Sequence, residues 1–249
     1  LYYDMEKINY WLKKNGFDSV SIEEGLIRLL VPEKNLLRSR LEQLSVEEYV
    51  LSADERETFA AFIISISKTE TTLERLCDLL MISRNTGKSM IASLKARLQP
   101  IGIQLGANKN GYYLSGNEVV IRHFLFDSLL NRCGSISCRY IINHLQQQLQ
   151  NNCEQLREKP VYEWIISLLY QCENLLNKSF VETTIHDLAL NIMFAVVRGF
   201  AGYEIVFELD EKQAIVATRE YTAAVSIGVA IKEKGIAIAD NLVFYIAVM

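Results

Sequence analysis

The chain has 249 residues, of which 50% are hydrophobic and 22% charged, and its formal net charge is −4. This composition supplies a packed core and excludes a disordered or collagen-like chain. No apolar run reaches the ~18 residues of a membrane span and no signal peptide is visible, so we expect a soluble, cytoplasmic protein without a membrane partner. The five cysteines form no C-x-x-C pair, so they predict neither a metal site nor a redox motif.

Local signals predict three helices between residues 51 and 100. Ser52 with Glu55 three residues later has the pattern of a capping box, and Thr71 with Glu74 repeats it. The first pattern predicts a helix through the apolar run that follows it, and the second predicts a short helix. Ser83 is a suitable N-cap for a third helix, which a proline and a glycine then stop.

The hydrophobic period changes from helical to alternating after the third helix. Segments 103–105 and 112–114 have the pattern of short strands. Asn110-Gly111 between them is a strong hairpin signal, because both residue types tolerate positive φ. Three helices followed by a hairpin predict a winged helix-turn-helix over residues 51–116.

An internal repeat extends this interpretation to the start of the chain. Apolar or glycine residues recur at an offset of 86 in six pairs: Met5 and Ile91, Ile8 and Leu94, Leu12 and Leu98, Gly16 and Gly102, Phe17 and Ile103, Gly25 and Gly111. The same unit therefore occurs twice. We expect residues 1–33 to be the C-terminal part of a first, truncated winged helix and residues 34–50 to be a linker.

The rest of the chain has helical patterns throughout. The predicted helices cover residues 118–131, 136–150, 160–176, 183–200, 211–234 and 239–249. Their charged or glycine-containing connections favour an antiparallel all-α bundle over residues 117–249, with its core at about 160–249. The predicted fold class is therefore mainly α, with a winged helix-turn-helix followed by a helical bundle.

Charge is distributed unevenly along the chain. Residues 68–112 carry seven Lys or Arg and three Asp or Glu, whereas residues 161–249 carry six and eleven. Nucleic-acid binding follows the local field, and the second helix of such a motif enters the major groove with its N-terminal residues first. The candidate DNA-contacting residues are Ser83, Arg84, Asn85, Thr86, Lys88, Ser89, Lys95, Lys109, Asn110 and Tyr112. The alternative is a solvated polar helix face without a ligand.

Gly87 lies inside the predicted third helix, where glycine costs about 1 kcal/mol relative to alanine. We therefore expect it to permit a close approach of the backbone to a phosphate or to the neighbouring helix.

No catalytic arrangement is visible in the sequence. His123, His144 and His186 are isolated on predicted helices, without a neighbouring nucleophile signature. A glycine-rich phosphate loop is also lacking. We predict that the protein is not an enzyme and has no catalytic residues, cofactor or metal.

Several motifs resemble one family of bacterial regulators. Residues 51–56, 83–86 and 111–118, with Arg122, resemble the second winged helix of sugar-operon activators that carry phosphotransferase-system regulation domains (PRDs). Residues 2–12 resemble the recognition helix of the first winged helix in that family. The mannitol-type and lichenan-type activators are the most similar subgroup, and virulence regulators with the same layout are near relatives.

The helical half resembles one such regulation domain, with two departures. Residues 191–202 and 238–249 are similar to elements in which the family places a histidine that phosphotransferase proteins phosphorylate. Here those positions hold Asn191 and Met249, so the resemblance implies that this PRD-like bundle is not switched there. His186 is a candidate substitute phosphorylation site, with an ordinary surface histidine as the alternative.

The resemblance implies a dimeric transcription regulator of a carbohydrate-uptake or related operon. Its expected partners are double-stranded DNA and a second copy of itself, with phosphotransferase-system proteins acting on domains outside this segment. The alternatives are an RNA-binding antiterminator of the same superfamily and a helical interaction module without a nucleic-acid ligand.

Overall fold

The computed structural model describes residues 2–29, 34–44, 49–67, 71–157 and 159–249. These residues are mainly α-helical and form twelve α-helices and two small antiparallel hairpins, which confirms the predicted mainly α class. The chain divides into two compact units, residues 1–50 and residues 51–249.

The first unit contains two helices separated by a hairpin. Its elements are α1 (Tyr2–Lys14), β1 (Ser21–Glu23), β2 (Leu26–Arg28) and α2 (Lys34–Glu42). The strands pair antiparallel with Ser21 opposite Arg28. The segment 34–50, predicted as a linker, thus contains α2, and its residues 45–48 lie outside the described residues. Residues 30–33, at the end of the predicted first winged helix, also lie outside them.

The repeat at an offset of 86 has a counterpart in the backbone. The N–H of Phe17 donates to the carbonyl of Leu12 at 2.9 Å, and the N–H of Ile103 donates to the carbonyl of Leu98 at 3.1 Å. A glycine with a φ of +80° or +75°, respectively, immediately precedes each donor. Both helices therefore end in the same way, and a two-stranded hairpin follows each of them.

The second unit opens with three helices and a hairpin. These are α3 (Ala53–Ile66), α4 (Leu73–Leu79), α5 (Arg84–Leu98), β3 (Gln104–Asn108) and β4 (Gly111–Ser115). The capping box that precedes α3 is present: the Glu55 N–H donates to Ser52 Oγ at 3.2 Å, and the Ser52 N–H donates to Glu55 Oε2 at 2.8 Å. This local signal was sufficient to predict where α3 begins.

The predicted start of α4 at Thr71 is wrong by one residue. Thr72 is the N-cap, and its side chain accepts from the Arg75 N–H at 3.2 Å. The backbone of Thr71 is instead paired with the hairpin of β3 and β4, which we call the wing. The N–H of Thr71 donates to the Asn110 carbonyl at 2.9 Å, and its carbonyl accepts from the Tyr112 N–H at 3.0 Å. This tertiary bridge holds Thr71 outside the helix.

Seven further helices complete the second unit. They are α6 (Glu118–Arg132), α7 (Ser135–Asn152), α8 (Val161–Leu176), α9 (Glu182–Phe200), α10 (Leu209–Val216), α11 (Arg219–Glu233) and α12 (Asp240–Val248). The single helix predicted over 211–234 is wrong. The hydroxyl of Thr218 accepts from the Tyr221 N–H at 3.1 Å and starts a new helix there.

The helix-turn-helix and the helical bundle share one hydrophobic core. Helix α9 is buried on almost every side over residues 189–198 and packs against α3, α7, α8 and α12. The ring of Phe194 lies 5.2 Å from that of Phe62 on α3 and 6.3 Å from that of Phe126 on α6. A helix that is apolar all round belongs in a core, so α9 connects the two parts of the unit.

Across the described segments, no single helix is both long and apolar enough to cross a membrane. Helices α10 and α11 meet that criterion only as a pair, which is bent by 94°.

Candidate nucleic-acid interface

Helix α5 begins at a side-chain cap formed by two of the predicted contact residues. Ser83 Oγ accepts from the Thr86 N–H at 3.2 Å, and the two hydroxyls lie 2.9 Å apart. This cap satisfies a backbone donor that the first helical turn leaves free. Ser83 and Thr86 are therefore engaged in fixing the start of α5, although both remain exposed.

The outer face of α5 is polar and exposed. It carries Arg84, Asn85, Lys88, Ser89 and Lys95, all of them exposed. Among the described residues no carboxylate forms an ion pair with Arg84, Lys88 or Lys95. The structure thus places five predicted contact residues together on one surface, whose three cations form no ion pair with a carboxylate of the described residues.

The inner face of α5 packs closely against α4 at Gly87. A Cβ added at Gly87 would lie 2.5 Å from Cys77 Sγ and 3.1 Å from Leu73 Cδ1. Of the two expectations for this glycine, close approach to the neighbouring helix is therefore the one that the structure supports.

Arg97 belongs to the basic segment but faces away from the polar surface of α5. Its guanidinium pairs with Glu57 on α3 and donates to Ser128 Oγ on α6 at 3.1 Å. Arg132 also contacts Glu57, at 3.0 Å, and contacts Asp54 at 2.7 Å. We call these five residues the Glu57 cluster. Arg97 is therefore not part of the positive charge offered by α5, and Lys68, counted in the same segment, lies outside the described residues.

The wing presents its turn to solvent. The two turn residues are Lys109 and Asn110, because Asn108 pairs with Gly111 in the register of β3 and β4. Gly111 has a φ of +104°, whereas Asn110 is not among the described residues with positive φ. The predicted Asn110-Gly111 turn is thus shifted by one residue. The Asn110 N–H donates to Asn108 Oδ1 at 2.8 Å, which tightens the turn.

Of the wing residues predicted to touch nucleic acid, Lys109 and Asn110 have exposed side chains and Tyr112 is half-buried. The backbone of Asn110 and of Tyr112 bonds to Thr71, so the wing is fixed against the segment that leads into α4. The wing is thereby held by a residue that leads into α4, the helix against which Gly87 of α5 packs.

Residues of two motifs that carry the family resemblance, one at the start of α6 and one near the end of α9, meet in a buried ion cluster. Arg198 donates to both carboxylate oxygens of Glu118, one at 3.0 Å, and Arg122 donates to Glu118 at 2.8 Å. Arg198 also donates to the carbonyl of Ser65 at the end of α3. We call Glu118, Arg122, Arg198 and Ser65 the Glu118 cluster. Both arginines are buried, with side-chain exposures of 3% for Arg122 and 0% for Arg198.

The positions related to phosphorylation lie in different surroundings. Asn191 Oδ1 accepts from the Tyr245 hydroxyl at 3.0 Å. His186 is exposed, and its Nδ1 shares a hydrogen bond of 2.8 Å with the Tyr162 hydroxyl. Met249 follows α12 and lines an apolar pocket between α8, α9, α11 and α12.

Within the described segments, no three His, Cys, Asp or Glu side chains are arranged to hold a metal ion. Burial, with contributions from Cys138 and Glu55, raises the pKa of the Cys133 thiol to about 12. This thiol is therefore protonated at neutral pH and is a poor nucleophile or metal ligand.

Sequence reasoning missed the Glu57 cluster. Arg97 was counted only as a positive charge, although it follows the buried Met90 by seven residues and so lies on the inward side of α5. That helical spacing was the available signal. Its partners Glu57 and Arg132 lie on other helices, and no local pattern predicts their contact with Arg97.

The pH dependence of stability tests the Glu57 cluster. Burial raises the pKa of Glu57, but hydrogen bonds from Ser93, Arg97 and Arg132 and the charge of Arg97 outweigh it, and the pKa lies below its ordinary value of 4.5. The stabilisation by this carboxylate is present above pH 4.5 and is lost as the pH falls through the lowered value. We expect Glu57→Gln to reduce the acid-induced loss of stability, measured by urea unfolding between neutral pH and pH ~3. An acid dependence equal to that of the unmodified chain would contradict this role.

Comparison with known proteins supports the helix-turn-helix interpretation. Residues 39–129 match the family model described as the Mga helix-turn-helix domain. The matched segment includes α3, α4, α5, the wing and most of α6. No curated protein matches this chain. Residues 39–129 are thus similar to the Mga helix-turn-helix domain, a similarity that indicates a DNA-binding transcription regulator.

Proposed function

We propose that the protein regulates transcription of a bacterial carbohydrate-uptake or related operon by binding duplex DNA through α5 and the wing. The observation that carries this proposal is the exposed polar face of α5, whose Arg84, Lys88 and Lys95 have no acidic partner among the described residues. The similarity of residues 39–129 to the Mga helix-turn-helix domain supports it.

The residue types on α5 suit the two kinds of DNA contact. Arg84 and Asn85 lie in the first turn, which enters the major groove in such motifs, and they match guanine and adenine edges by bidentate hydrogen bonding. Lys88, Ser89 and Lys95 lie further along the helix and suit phosphate contacts, which set orientation without reading sequence. In this arrangement the exposed Lys109 of the wing contacts the flanking backbone.

The proposal includes a dimer formed by the helical bundle. Two recognition helices then meet half-sites separated by roughly 34 Å or a multiple of it. The acidic balance of residues 161–249 discourages the bundle from lying on DNA and leaves binding to the winged helix. The exposed Val225 and Val229 on α11 offer an apolar surface for self-association.

Substitutions on α5 test the DNA contact. Because Arg84 is proposed to read a base edge, Arg84→Ala is expected to weaken duplex binding by about 1–3 kcal/mol. Lys88→Ala is expected to reduce the slope of log affinity against log salt concentration by about one. Fluorescence anisotropy with labelled duplexes that tile the DNA upstream of the gene measures both. Arg219→Ala, which removes an exposed charge at the start of α11, is the matched control and should leave the affinity unchanged.

Three outcomes of this experiment contradict the proposal. Absence of salt-sensitive duplex binding overturns it. Stronger binding to labelled RNA of the same sequence, measured by the same anisotropy assay, favours an antiterminator. Unchanged affinity of both α5 variants means that another element contacts DNA.

We further propose that phosphotransferase proteins do not switch this bundle at Asn191 or Met249. Neither side chain forms a phosphohistidine, and Asn191 is engaged with Tyr245. Incubation with labelled phosphoenolpyruvate and the general phosphocarrier proteins is therefore expected to leave the chain unlabelled. A His186→Gln variant is the control, since label that disappears with it would assign the phosphorylation site to His186 and refute this expectation.

A further inference from the structure

Helix α6 has an ion cluster at each of its ends. Glu118 in its first turn belongs to the Glu118 cluster, and Arg132 in its last turn belongs to the Glu57 cluster. With 15 residues, α6 separates the two clusters by roughly 22 Å. One helix therefore joins two sets of charges in different parts of the unit, and all of them except Asp54 are buried or half-buried.

The cluster at the start of α6 attaches this helix to the bundle. Arg198 of α9 is fully buried and spans from Glu118 on α6 to the Ser65 carbonyl on α3. Its guanidinium also lies 3.9 Å from the ring centroid of Tyr203. Breaking a buried charge pair of this kind is costly, so α6, α9 and the end of α3 are held in a single arrangement.

The cluster at the end of α6 attaches this helix to α5. Arg97 of α5 donates to Ser128 Oγ on α6 at 3.1 Å and lies 5.0 Å from the ring centroid of Phe124 on the same helix. Arg132 of α6 shares Glu57 with Arg97. Any shift of α6 therefore moves the groups that hold the C-terminal turn of α5.

From these two attachments we propose that α6 positions α5 for DNA binding, and that Arg198 of the bundle and Ser128 of α6 are positioning residues for that contact. The proposal rests on the proposed DNA-binding function. Ser128 is 1% exposed and Arg198 is fully buried, so neither touches DNA itself. Their substitution changes the orientation of α5 and leaves its contact residues intact.

The test uses Arg198→Lys, which keeps the charge but loses the two-oxygen contact with Glu118, and the milder Ser128→Ala. Each is expected to weaken duplex binding by about 3- to 10-fold, the usual size of an effect transmitted through packed elements. The salt dependence should be unchanged, because the number of phosphate contacts is the same. Ile165→Val and Ile165→Ala on α8 form the control series, since Ile165 is a buried residue outside both clusters.

Affinities are compared between variants of equal Tm, at a temperature well below unfolding. The proposal holds if Arg198→Lys and Ser128→Ala bind more weakly than Ile165 variants of the same Tm, and it is overturned if they bind equally well. Hydrogen exchange of the α5 amides in the DNA-free protein gives a second readout, expected to be faster in the two positioning variants only. If the unmodified chain binds no duplex, the proposed function fails, and the exchange measurement still decides whether α6 holds α5.

Discussion

Replacing Glu118 by glutamine is expected to lower the free energy of unfolding of residues 51–249 by about 3–5 kcal/mol, the usual cost of breaking a buried ion pair. The carboxylate accepts hydrogen bonds from Arg122 and from Arg198 through both of its oxygens. Glutamine offers one acceptor and no charge, so both buried guanidinium groups lose their counter-ion. The unit then retains two desolvated positive charges in its interior.

Urea unfolding followed by the fluorescence of Trp164 measures this loss, because Trp164 is the only tryptophan of residues 51–249. The Trp11→Phe background removes the signal of the first unit. Glu220→Gln is the matched control, since Glu220 pairs with Lys178 at 2.8 Å but the side chains are 42% and 59% exposed, respectively. Surface pairs of this kind contribute little, so the control is expected to keep the original midpoint. A Glu118→Gln variant with that same midpoint would show that the cluster does not stabilise the fold.

The Glu118 cluster also shows which contacts sequence reasoning can reach. Glu118 and Arg122 are four residues apart on one helix, a spacing that predicts their contact. Arg198 follows Glu118 by 80 residues, and no local period relates them. It lies in the apolar run of α9, where a charge is costly without a partner, so the sequence indicates that a partner exists but does not identify it.

Helix starts were predictable where the cap is local and unpredictable where tertiary contacts compete. Ser52 and Ser83 cap α3 and α5 through residues three positions later, and their sequence signals were sufficient. Thr71 offers the same signal, but its backbone is paired with the wing and the cap moves to Thr72. The break before α11 does have a local signal in Thr218, which the continuous helical pattern of 211–234 obscured.

The candidate interface could be described only with both local sequence signals and tertiary contacts. The helical period of α5 and its polar residues were sufficient to predict the exposed face that carries Arg84 and Lys88. The inward position of Arg97 followed from the same period, but its attachment to Glu57 and Ser128 depends on how three helices pack. The exposed residues of α5 were thus predictable individually, whereas the contacts of Arg97 with Glu57 and Ser128 were found only from the structure.

Gly111→Ala is expected to destabilise residues 51–249 by about 3 kcal/mol or more, because two separate costs add. Gly111 has a φ of +104°, in a region where residues with a Cβ pay roughly 1–2 kcal/mol. A Cβ at this position would also lie 2.4 Å from the Thr71 carbonyl carbon, a backbone atom that cannot rotate away. The wing must then separate from Thr71 and lose two backbone hydrogen bonds of about 1 kcal/mol each.

Gly102→Ala separates these two costs. Gly102 has a φ of +75°, but among the described residues no atom apart from its chain neighbours lies within 4 Å of an added Cβ, so this variant pays only the backbone cost of about 1–2 kcal/mol. The difference between the two variants in urea unfolding measures the bridge between Thr71 and the wing. Because that bridge fixes the wing beside α4, Gly111→Ala is expected to weaken duplex binding more than Gly102→Ala does. Equal losses of stability in the two variants would mean that the contact of Gly111 with Thr71 contributes nothing to the fold.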